Sequence, residues 1–562
     1  MLALSRDPNV AERQMQAVIF YLTTFGYIDG DFDSSEREFV RNYIGELVAH
    51  RVQSGVSGND ELKQELIDRF TKHFHEVFER IDRHIQDLFT EAVAAQEHQN
   101  AFIHAKLKLR CFEIFQSFDS ASQESLMETI DALIEADGET HPAEVTFRAE
   151  LTELLESQVD MELVGDDEAS HRITLSEPSE VEPATGAHAF FDQFEYHYSK
   201  DPSRIQKQIR ADRDLLTEAI HLFDRQRREG EGRLKGASSV AAFAGLEPFL
   251  DGHVYVHPIQ PGQRYELTVL GDLHGCYSCL KGATLQSKFF ERVNAYHENP
   301  ETAPFPLLVL LGDYIDRGLF SLNGVLRTVL QLAICAPKHV VVLRGNHEYY
   351  LEYKGEVYGG VKPAEAIDTL KPHLPAEVFQ HYMRLFEAMP NMLFFDRMLF
   401  VHGGIPRDRL IRERWKDMST LNDPEVRFQM LWSDPSSADV IPAQLQQQSA
   451  RFPFGKLQAA AFLLRLGCHT IVRGHERVDE GFRVVYDDPR VKLWSLFSAG
   501  GEDNQDLPPD SSYRSVKPKA LTISYRDSVA HAQPWGIDYS SFNDPEKNAF
   551  FKSKPEIDHK TG

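Results

Sequence analysis

Residues 266–275 read ELTVLGDLHG, residues 306–318 read PLLVLLGDYIDRG, and residues 339–348 read HVVVLRGNHE. Each segment opens as a short apolar run. Each ends in a glycine followed by residues that carry a charge or a metal-binding atom. Apolar runs of this length, bounded by such punctuation, are the pattern of strands buried on both faces. The glycine lets the chain turn sharply and approach a ligand closely. Two more segments repeat the arrangement, MLFVHGG at 398–404 and TIVRGHE at 470–476. Helical stretches separate the five, so the sequence predicts an α/β layered domain. Its polar groups gather at the carboxyl ends of the strands, where open α/β sheets place ligands.

Six side chains stand at these strand ends: Asp272, His274, Asp313, Asn346, His402 and His475. They are carboxylates, imidazoles and one amide oxygen, a set that suits Mn, Fe or Zn rather than Cu(I). Six donors are enough for two adjacent ions if one carboxylate bridges. Two ions about 3.5–4 Å apart can share a water, lower its pKa and hold both oxygens of an in-line phosphoryl displacement. A single such motif is an ordinary turn after a strand; five in succession point to one site.

Outward from this region the chain changes character. At about 150 residues per domain, 562 residues predict three or four domains. Residues 13–158 place apolar residues at helical spacing, and no proline stands between Pro8 and Pro142 to break a helix. The division read from the sequence is an all-α helical bundle over 1–160, an acidic linker over 161–187 and a helical connector over 188–235. An α/β catalytic domain over 236–530 and a polar C-terminal tail over 531–562 complete it. The helical region holds a loose internal repeat. Asp29-Gly30-Asp31 and Glu36 recur with the same offset as Asp137-Gly138-Glu139 and Glu144. Asp33 and His141 are then N-caps, with Glu36 and Glu144 closing capping boxes. A calcium loop on Asp29, Asp31 and Asp33 fails, because its sixth position is Ser34 rather than Gly and its twelfth is Val40 rather than Glu.

Acidic residues outnumber basic ones by 86 to 60, for a net charge of −26. Bulk attraction to nucleic acid or to an anionic membrane is excluded on that balance. Five cysteines, an odd and sparse set, suit a reducing compartment rather than a disulfide framework. The four-residue apolar start is too short for a signal peptide, and no run is long enough to span a membrane. A soluble, cytoplasmic protein is expected. Cys276 and Cys279 read as helix-start thiols rather than a redox pair, and Ala443–Ser449 as a solvent-facing helix or loop.

The strand-end motifs in this order resemble the PPP family of metallophosphoesterases, to which the Ser/Thr protein phosphatases and bacterial diadenosine tetraphosphatases belong. Leu431-Trp432-Ser433-Asp434-Pro435, Arg473-Gly474-His475-Glu476 and Leu496-Phe497-Ser498-Ala499 are similar to further segments of the Ser/Thr phosphatases, so the likeness covers about 266–525. It implies a four-layer β-sandwich flanked by helices. It implies Asp272 and His274 on a first metal, Asp313 bridging, and Asn346, His402 and His475 on a second. Mn²⁺ is the expected metal, with Fe or Zn as alternatives. A hydroxide activated by the two metals would attack phosphorus directly. His347 would be the general acid, oriented by Asp316, and Arg317 would grip the phosphate with its planar fork. Asn346 would also lie against the substrate. A second phosphate-binding arginine is expected at Arg451, in the shortened RFPFG of 451–455.

Where the family carries a tyrosine near the site, Gly500-Gly501-Glu502 stand instead, which predicts a smaller, more flexible loop. The long gap between Asp272 and Asp313 predicts an insertion near 285–305 bordering the site. The helical repeat resembles the TerB-like domains, which implies a bundle with an acidic, metal-sensitive surface linked to stress responses and able to bind a regulatory partner. The substrate expected first is a phosphoprotein or phosphopeptide. A diadenosine polyphosphate is the alternative, with Tyr349, Tyr350 and Tyr353 as base-stacking candidates. A phosphate-sensing scaffold with a silent site is the alternative outside enzymology.

Overall fold

The structure is a computed structural model that describes residues 4, 7–28, 32–55, 60–88, 93–94, 97–116, 118–134, 146, 148–149, 172–180, 182–183 and 188–559. The chain divides into two units. One comprises Met1–Glu162 together with Ser436–Ala450; the other comprises Leu163–Pro435 and Arg451–Gly562. Among the described residues no helix is long and apolar enough to cross a membrane.

The first unit is helical, with α1 (Pro8–Gly26), α2 (Ser34–Gly55), α3 (Asp60–Leu88), α4 (Gln99–Gln116) and α5 (Ser120–Ile134). Its core draws Ile19, Leu22, Phe25, Ile44, Phe78, Phe112 and Ile130 into one cluster. The capping box expected at α2 forms. Asp33 Oδ1 accepts from Glu36 N at 2.8 Å, and Glu36 Oε2 accepts from Asp33 N at 2.9 Å. Asp29–Asp31 and the second copy of the repeat, 137–144, lie outside the described residues. Ala443–Ser449 differs from expectation. Leu445, with Ala438 and Ile441, is buried in the helical unit's core, because these three apolar side chains recur along an otherwise polar insert.

In the second unit the strands of the two large sheets, in chain order, are β1 (Arg172–Leu175), β2 (Phe249–Asp251), β3 (Val254–His257), β4 (Tyr265–Leu270), β5 (Phe305–Leu310) and β6 (Val340–Val342). They continue with β7 (Met392–Phe395), β8 (Met398–Val401), β9 (Thr470–Arg473), β10 (Phe482–Asp488), β11 (Val491–Leu496), β12 (Lys519–Arg526) and β13 (Val529–Gly536). They form a six-stranded sheet, β1-β13-β12-β4-β5-β6, and a seven-stranded sheet, β10-β11-β9-β8-β7-β3-β2. Side-chain alternation sets the layers. Met398 and Phe400 of β8 join Leu267 of β4 and Ile523 of β12 in the core between the sheets, while Leu399 and Val401 face the outer layer with Leu463 and Met430. Helices cover both outer faces, giving the four layers expected. The parallel strands β4, β5 and β6 deliver Asp272, Asp313 and Asn346 to the same sheet end.

Three boundaries read from the sequence are corrected. The stretch taken as an acidic linker contains β1, which pairs in parallel with β13. The connector is built into the second unit. Its long helix, Pro202–Gly230, is capped by Asp201 and buries Leu216, Leu222 and Phe223 in the same core as the sheets. Arg327 grips Asp212 of that helix through two bonds of 2.8 and 3.1 Å. The C-terminal tail begins as an eight-residue strand, β13, which faces inward with Ala530 and Ala532 and is anchored further on by buried Phe542 and Phe550. Polar His531 and Gln533 on the outward face disguise it.

The insertion near 285–305 also lies elsewhere than expected. The helix Phe289–Glu298 packs at the start of β5, where Tyr296 meets Phe305 at 5.0 Å between ring centroids. That is the end of the strands opposite Asp272 and Asp313.

Asp506 is fully buried, and burial pushes its pKa up to about 7. Its Oδ2 accepts from Ser278 N at 2.5 Å, and its Oδ1 from Ser278 Oγ at 3.0 Å. Between about pH 4 and 7 the folded chain holds a proton that an unfolded aspartate has released. Stability is therefore expected to fall across that window by roughly 1.4 kcal/mol per pH unit from this group. In Asp506→Asn the side chain stays neutral and that share of the fall disappears. Urea midpoints at pH 4.5 and 7 check it; parallel losses in both proteins would contradict it.

Candidate active site

Five residues at the site adopt the left-handed backbone region: His274 (φ 39°), Asp313 (54°), Asp316 (68°), Arg317 (67°) and His475 (73°). For side chains other than glycine such conformations cost about 1–3 kcal/mol each and persist where surrounding structure enforces them. Here the enforcement is visible. Glu348, fully buried, accepts from the backbone N–H groups of Asp313 (2.8 Å), Tyr314 (2.8 Å) and Gly345 (2.9 Å). Burial and the nearby Asp313 push its pKa up to about 8, against three N–H groups that favour the carboxylate. Gly345 and Gly474 are glycines for lack of room, since a Cβ would collide with Asp313 at the first and with Asp272 at the second.

The six donors read from the sequence are all buried and converge. Asn346 Oδ1 lies 2.9 Å from His402 Nε2 and 3.0 Å from His475 Nδ1, and His402 Nε2 is 3.3 Å from Asp313 Oδ1. On the other side of Asp313, His274 Nε2 is 3.5 Å from Asp313 Oδ2 and 3.8 Å from Asp272 Oδ2. Ligands held 2.0–2.2 Å from an ion at right angles stand about 3 Å apart, and wider angles give somewhat more. Both groups have the separations of donors around a cation, with Asp313 facing each.

The remaining ring nitrogens fix which atom faces inward. With the outer nitrogen protonated, His274 Nδ1 donates to Ile315 O (2.9 Å) and His402 Nδ1 to Leu311 O (3.1 Å). Each leaves the inner nitrogen as an acceptor, the usual arrangement behind a metal-binding histidine. Burial pushes the pKa of His274 down to about 3 and that of Asp272 up to about 7. Burial opposes ionisation of Asp313 too, yet His402, His347 and His274 around it hold its carboxyl well below the usual range.

His347 stands beside this cluster. Its Nδ1 donates to Asp316 Oδ2 at 2.7 Å, and its Nε2 lies 3.9 Å from Asp313 Oδ2. Asp316 is fixed in turn by Ala366 N at 2.9 Å. Burial, only partly offset by Asp313, drives the His347 pKa down to about 4. Arg317 is 13% exposed and binds Glu365 at 2.7 Å through Nη1, while its Nη2 has no hydrogen-bond partner among the described residues. Arg451 places Nη1 2.6 Å from His475 Nε2 and lies over the Trp432 ring at 5.7 Å. All ten residues named from the sequence are thus brought together.

Four more residues belong to the site: Glu348 and Asp434, which stand in motifs of the sequence without a role assigned to them, and Glu365 and Tyr513, which no motif marks. Asp434 accepts from the buried Arg473 at 2.9 Å and lies 3.7 Å from His475 Nε2. Gly500 and Gly501 are buried against Val516 and Tyr539 and carry no aromatic ring of their own. Tyr513 supplies one from a short helix further on, 5.3 Å from the His274 ring. Tyr350 is not available for base stacking, since it is buried against Phe386 at 5.1 Å. Cys276 and Cys279 are buried free thiols.

Residues 265–479 match the family described as calcineurin-like phosphoesterase. The chain carries a calcineurin-like metallophosphoesterase domain. Members of that family bind divalent metals, and His274, Asp313 and His347, or Asp313, His402 and His475, form groups that can hold one. Curated relatives include a protein of Encephalitozoon cuniculi named as a probable serine/threonine-protein phosphatase. It is 27% identical over 259 residues, which is 45% of this chain and 51% of the relative. The catalytic subunit of serine/threonine-protein phosphatase 6 from Caenorhabditis elegans is 28% identical over 235 residues, 41% of this chain and 64% of the relative. The chain therefore spans between half and two thirds of these relatives. A solved protein serine/threonine phosphatase from Saccharomyces cerevisiae is 17% identical, with a TM-score of 0.36, covering 59% of this chain and 90% of that one.

Proposed function

We propose that this protein is a metal-dependent phosphomonoesterase acting on phosphoserine or phosphothreonine in proteins. The observation that carries the reading is the convergence of two donor groups on Asp313, with His347 and the two arginines at their edge. Asp272, His274 and Asp313 would hold one ion, and Asp313, Asn346, His402 and His475 the other. Mn²⁺ is the proposed metal, with Fe or Zn as alternatives. Bound there, two divalent ions would supply a nucleophilic water at neutral pH and offset the charge of the phosphoryl group.

The protein's own groups do the rest. Arg317 turns a donor edge without a hydrogen-bond partner among the described residues toward the phosphate, and its planar fork suits two oxygens at once. Arg451, stacked over Trp432, would contact a third. His347 points Nε2 inward while Asp316 keeps Nδ1 protonated and the ring aimed. A doubly charged phosphate beside it favours the imidazolium over the neutral ring. From there it gives its proton to the leaving oxygen. The names of the relatives favour a phosphoprotein, and the burial of Tyr350 removes one support for a dinucleotide substrate. The helical unit is proposed to bind a regulatory partner.

A substrate panel with added Mn²⁺ tests this. Turnover of phosphoserine and phosphothreonine peptides is expected to exceed that of diadenosine tetraphosphate by at least about tenfold, the worth of one well-placed contact. Preference for the dinucleotide would replace the substrate assignment. Absence of turnover on any phosphoester, with metal bound, would replace the enzyme by a phosphate-sensing scaffold.

A further inference from the structure

Asp434 and Arg451 close a neck. Asp434 N donates to Arg451 O at 2.9 Å, and Phe454 N donates to Asp434 O at 3.0 Å. Both side chains reach His475, Arg451 at 2.6 Å and Asp434 at 3.7 Å from its Nε2. The fifteen residues that leave this neck and return to it, Ser436–Ala450, belong to the helical unit. Ala438, Ile441 and Leu445 bury their side chains in its core.

Two carboxylates of the helical unit hold the feet of this insert. Glu113 on α4 has a side chain only 4% exposed and paired with Arg110 Nη1 at 2.7 Å. Its Oε1 accepts from Ser436 Oγ at 2.5 Å and from Ser437 N at 3.1 Å. At the other foot, Ala450 N donates to Glu97 Oε1 at 3.1 Å. Ser436 follows Asp434 with only Pro435 between, and Ala450 directly precedes Arg451. A closed loop of this length fluctuates when free, and its closure costs entropy each time the ends meet. The bonds at both feet hold the insert within two residues of Asp434 and Arg451.

We propose that Glu113 is a positioning residue for Arg451: the helical unit sets the phosphate-binding arginine by gripping the insert whose ends carry Arg451 and Asp434. Only the kinetic consequence rests on the phosphoesterase reading. The grip accounts for the otherwise odd placement of a buried carboxylate, satisfied by residues more than 320 positions away in sequence.

The test uses the full chain and the variants Glu113→Ala, Glu113→Gln, Arg451→Ala and the double variant Glu113→Ala/Arg451→Ala. Hydrogen exchange at the amides of Asp434 and Phe454 is expected to quicken in Glu113→Ala. Glu113→Gln, which keeps an oxygen acceptor for Ser436, is expected to fall between it and the parent. On an aryl phosphate, Glu113→Ala is expected to raise KM and the inhibition constant of inorganic phosphate about three- to tenfold, the factor of one lost hydrogen bond, with kcat changed less. In the Arg451→Ala background the same change adds nothing. Parental exchange at the neck in Glu113→Ala, or kinetic effects that multiply in the double variant, would overturn the proposal. If Glu113→Ala loses its helical circular dichroism, Glu113→Gln decides, and parental exchange there overturns it. A parent protein with no phosphoester turnover would sink the proposed function alone, because the exchange arm still decides the positioning role.

Discussion

An Asp313→Asn variant is expected to bind its divalent metal more than about 100-fold more weakly and to lose phosphoesterase activity with it. Changing an outer partner of a ligand already costs 10- to 100-fold in affinity, and Asp313 is the carboxylate that faces both donor groups. Its two oxygens lie 3.3 Å from His402 Nε2 and 3.5 Å from His274 Nε2. An amide in that place removes the negative charge and turns an N–H₂ toward one of two acceptor nitrogens. The loop itself should persist, since the Asp313 backbone carbonyl accepts from Leu273 N and His274 N whatever the side chain. Metal analysis after gel filtration checks the prediction, together with an unchanged circular dichroism spectrum. Full metal retention in the variant would contradict it.

The second large effect separates chemistry from metal binding. His347→Asn is expected to lower kcat by about 10²- to 10⁴-fold, the usual range for a positioned proton donor, with metal content unchanged. His347 Nδ1 is committed to Asp316 and its backbone N to Asp313 Oδ1 at 3.0 Å, so the residue is fixed without any ion. Its Nε2 stands 3.9 Å from Asp313 Oδ2, within reach of a leaving oxygen. An aryl phosphate with a good leaving group needs less help from a proton donor. The deficit should therefore shrink on such substrates and stay large on phosphoserine peptides. An equal loss on both, or loss of metal, would point to His347 as a ligand instead.

Which parts of the molecule a sequence discloses follows from how local their causes are. The strand-end motifs could be read because each carries its own reason. A buried run, a glycine where a Cβ would strike Asp272 or Asp313, and a donor side chain stand within a few residues of one another. Arg451 is legible despite its altered surroundings, because a lone arginine stands before Phe452-Pro453-Phe454-Gly455, and its side chain reaches His475. Glu365 and Tyr513 were not found, because nothing near them in sequence announces a site. They arrive through packing of distant segments against Arg317 and His274. Strands β1 and β13 were missed for a related reason. One lies in an acidic stretch and the other alternates alanines with His531 and Gln533, and each becomes a strand only beside its neighbour.

The insert Ser436–Ala450 has a consequence for how this protein can be taken apart or could have been assembled. A fragment ending at Glu162 would carry α1–α5 but lack Ala438, Ile441 and Leu445, so its interior would be left open where those side chains belong. A fragment beginning near residue 236 would lose β1 and the helix Pro202–Gly230 from the second unit. Neither unit is a cassette that recombination could lift out with one cut. The chain is interleaved, and any lineage that exchanged the helical unit for another would have had to replace the insert in the same step.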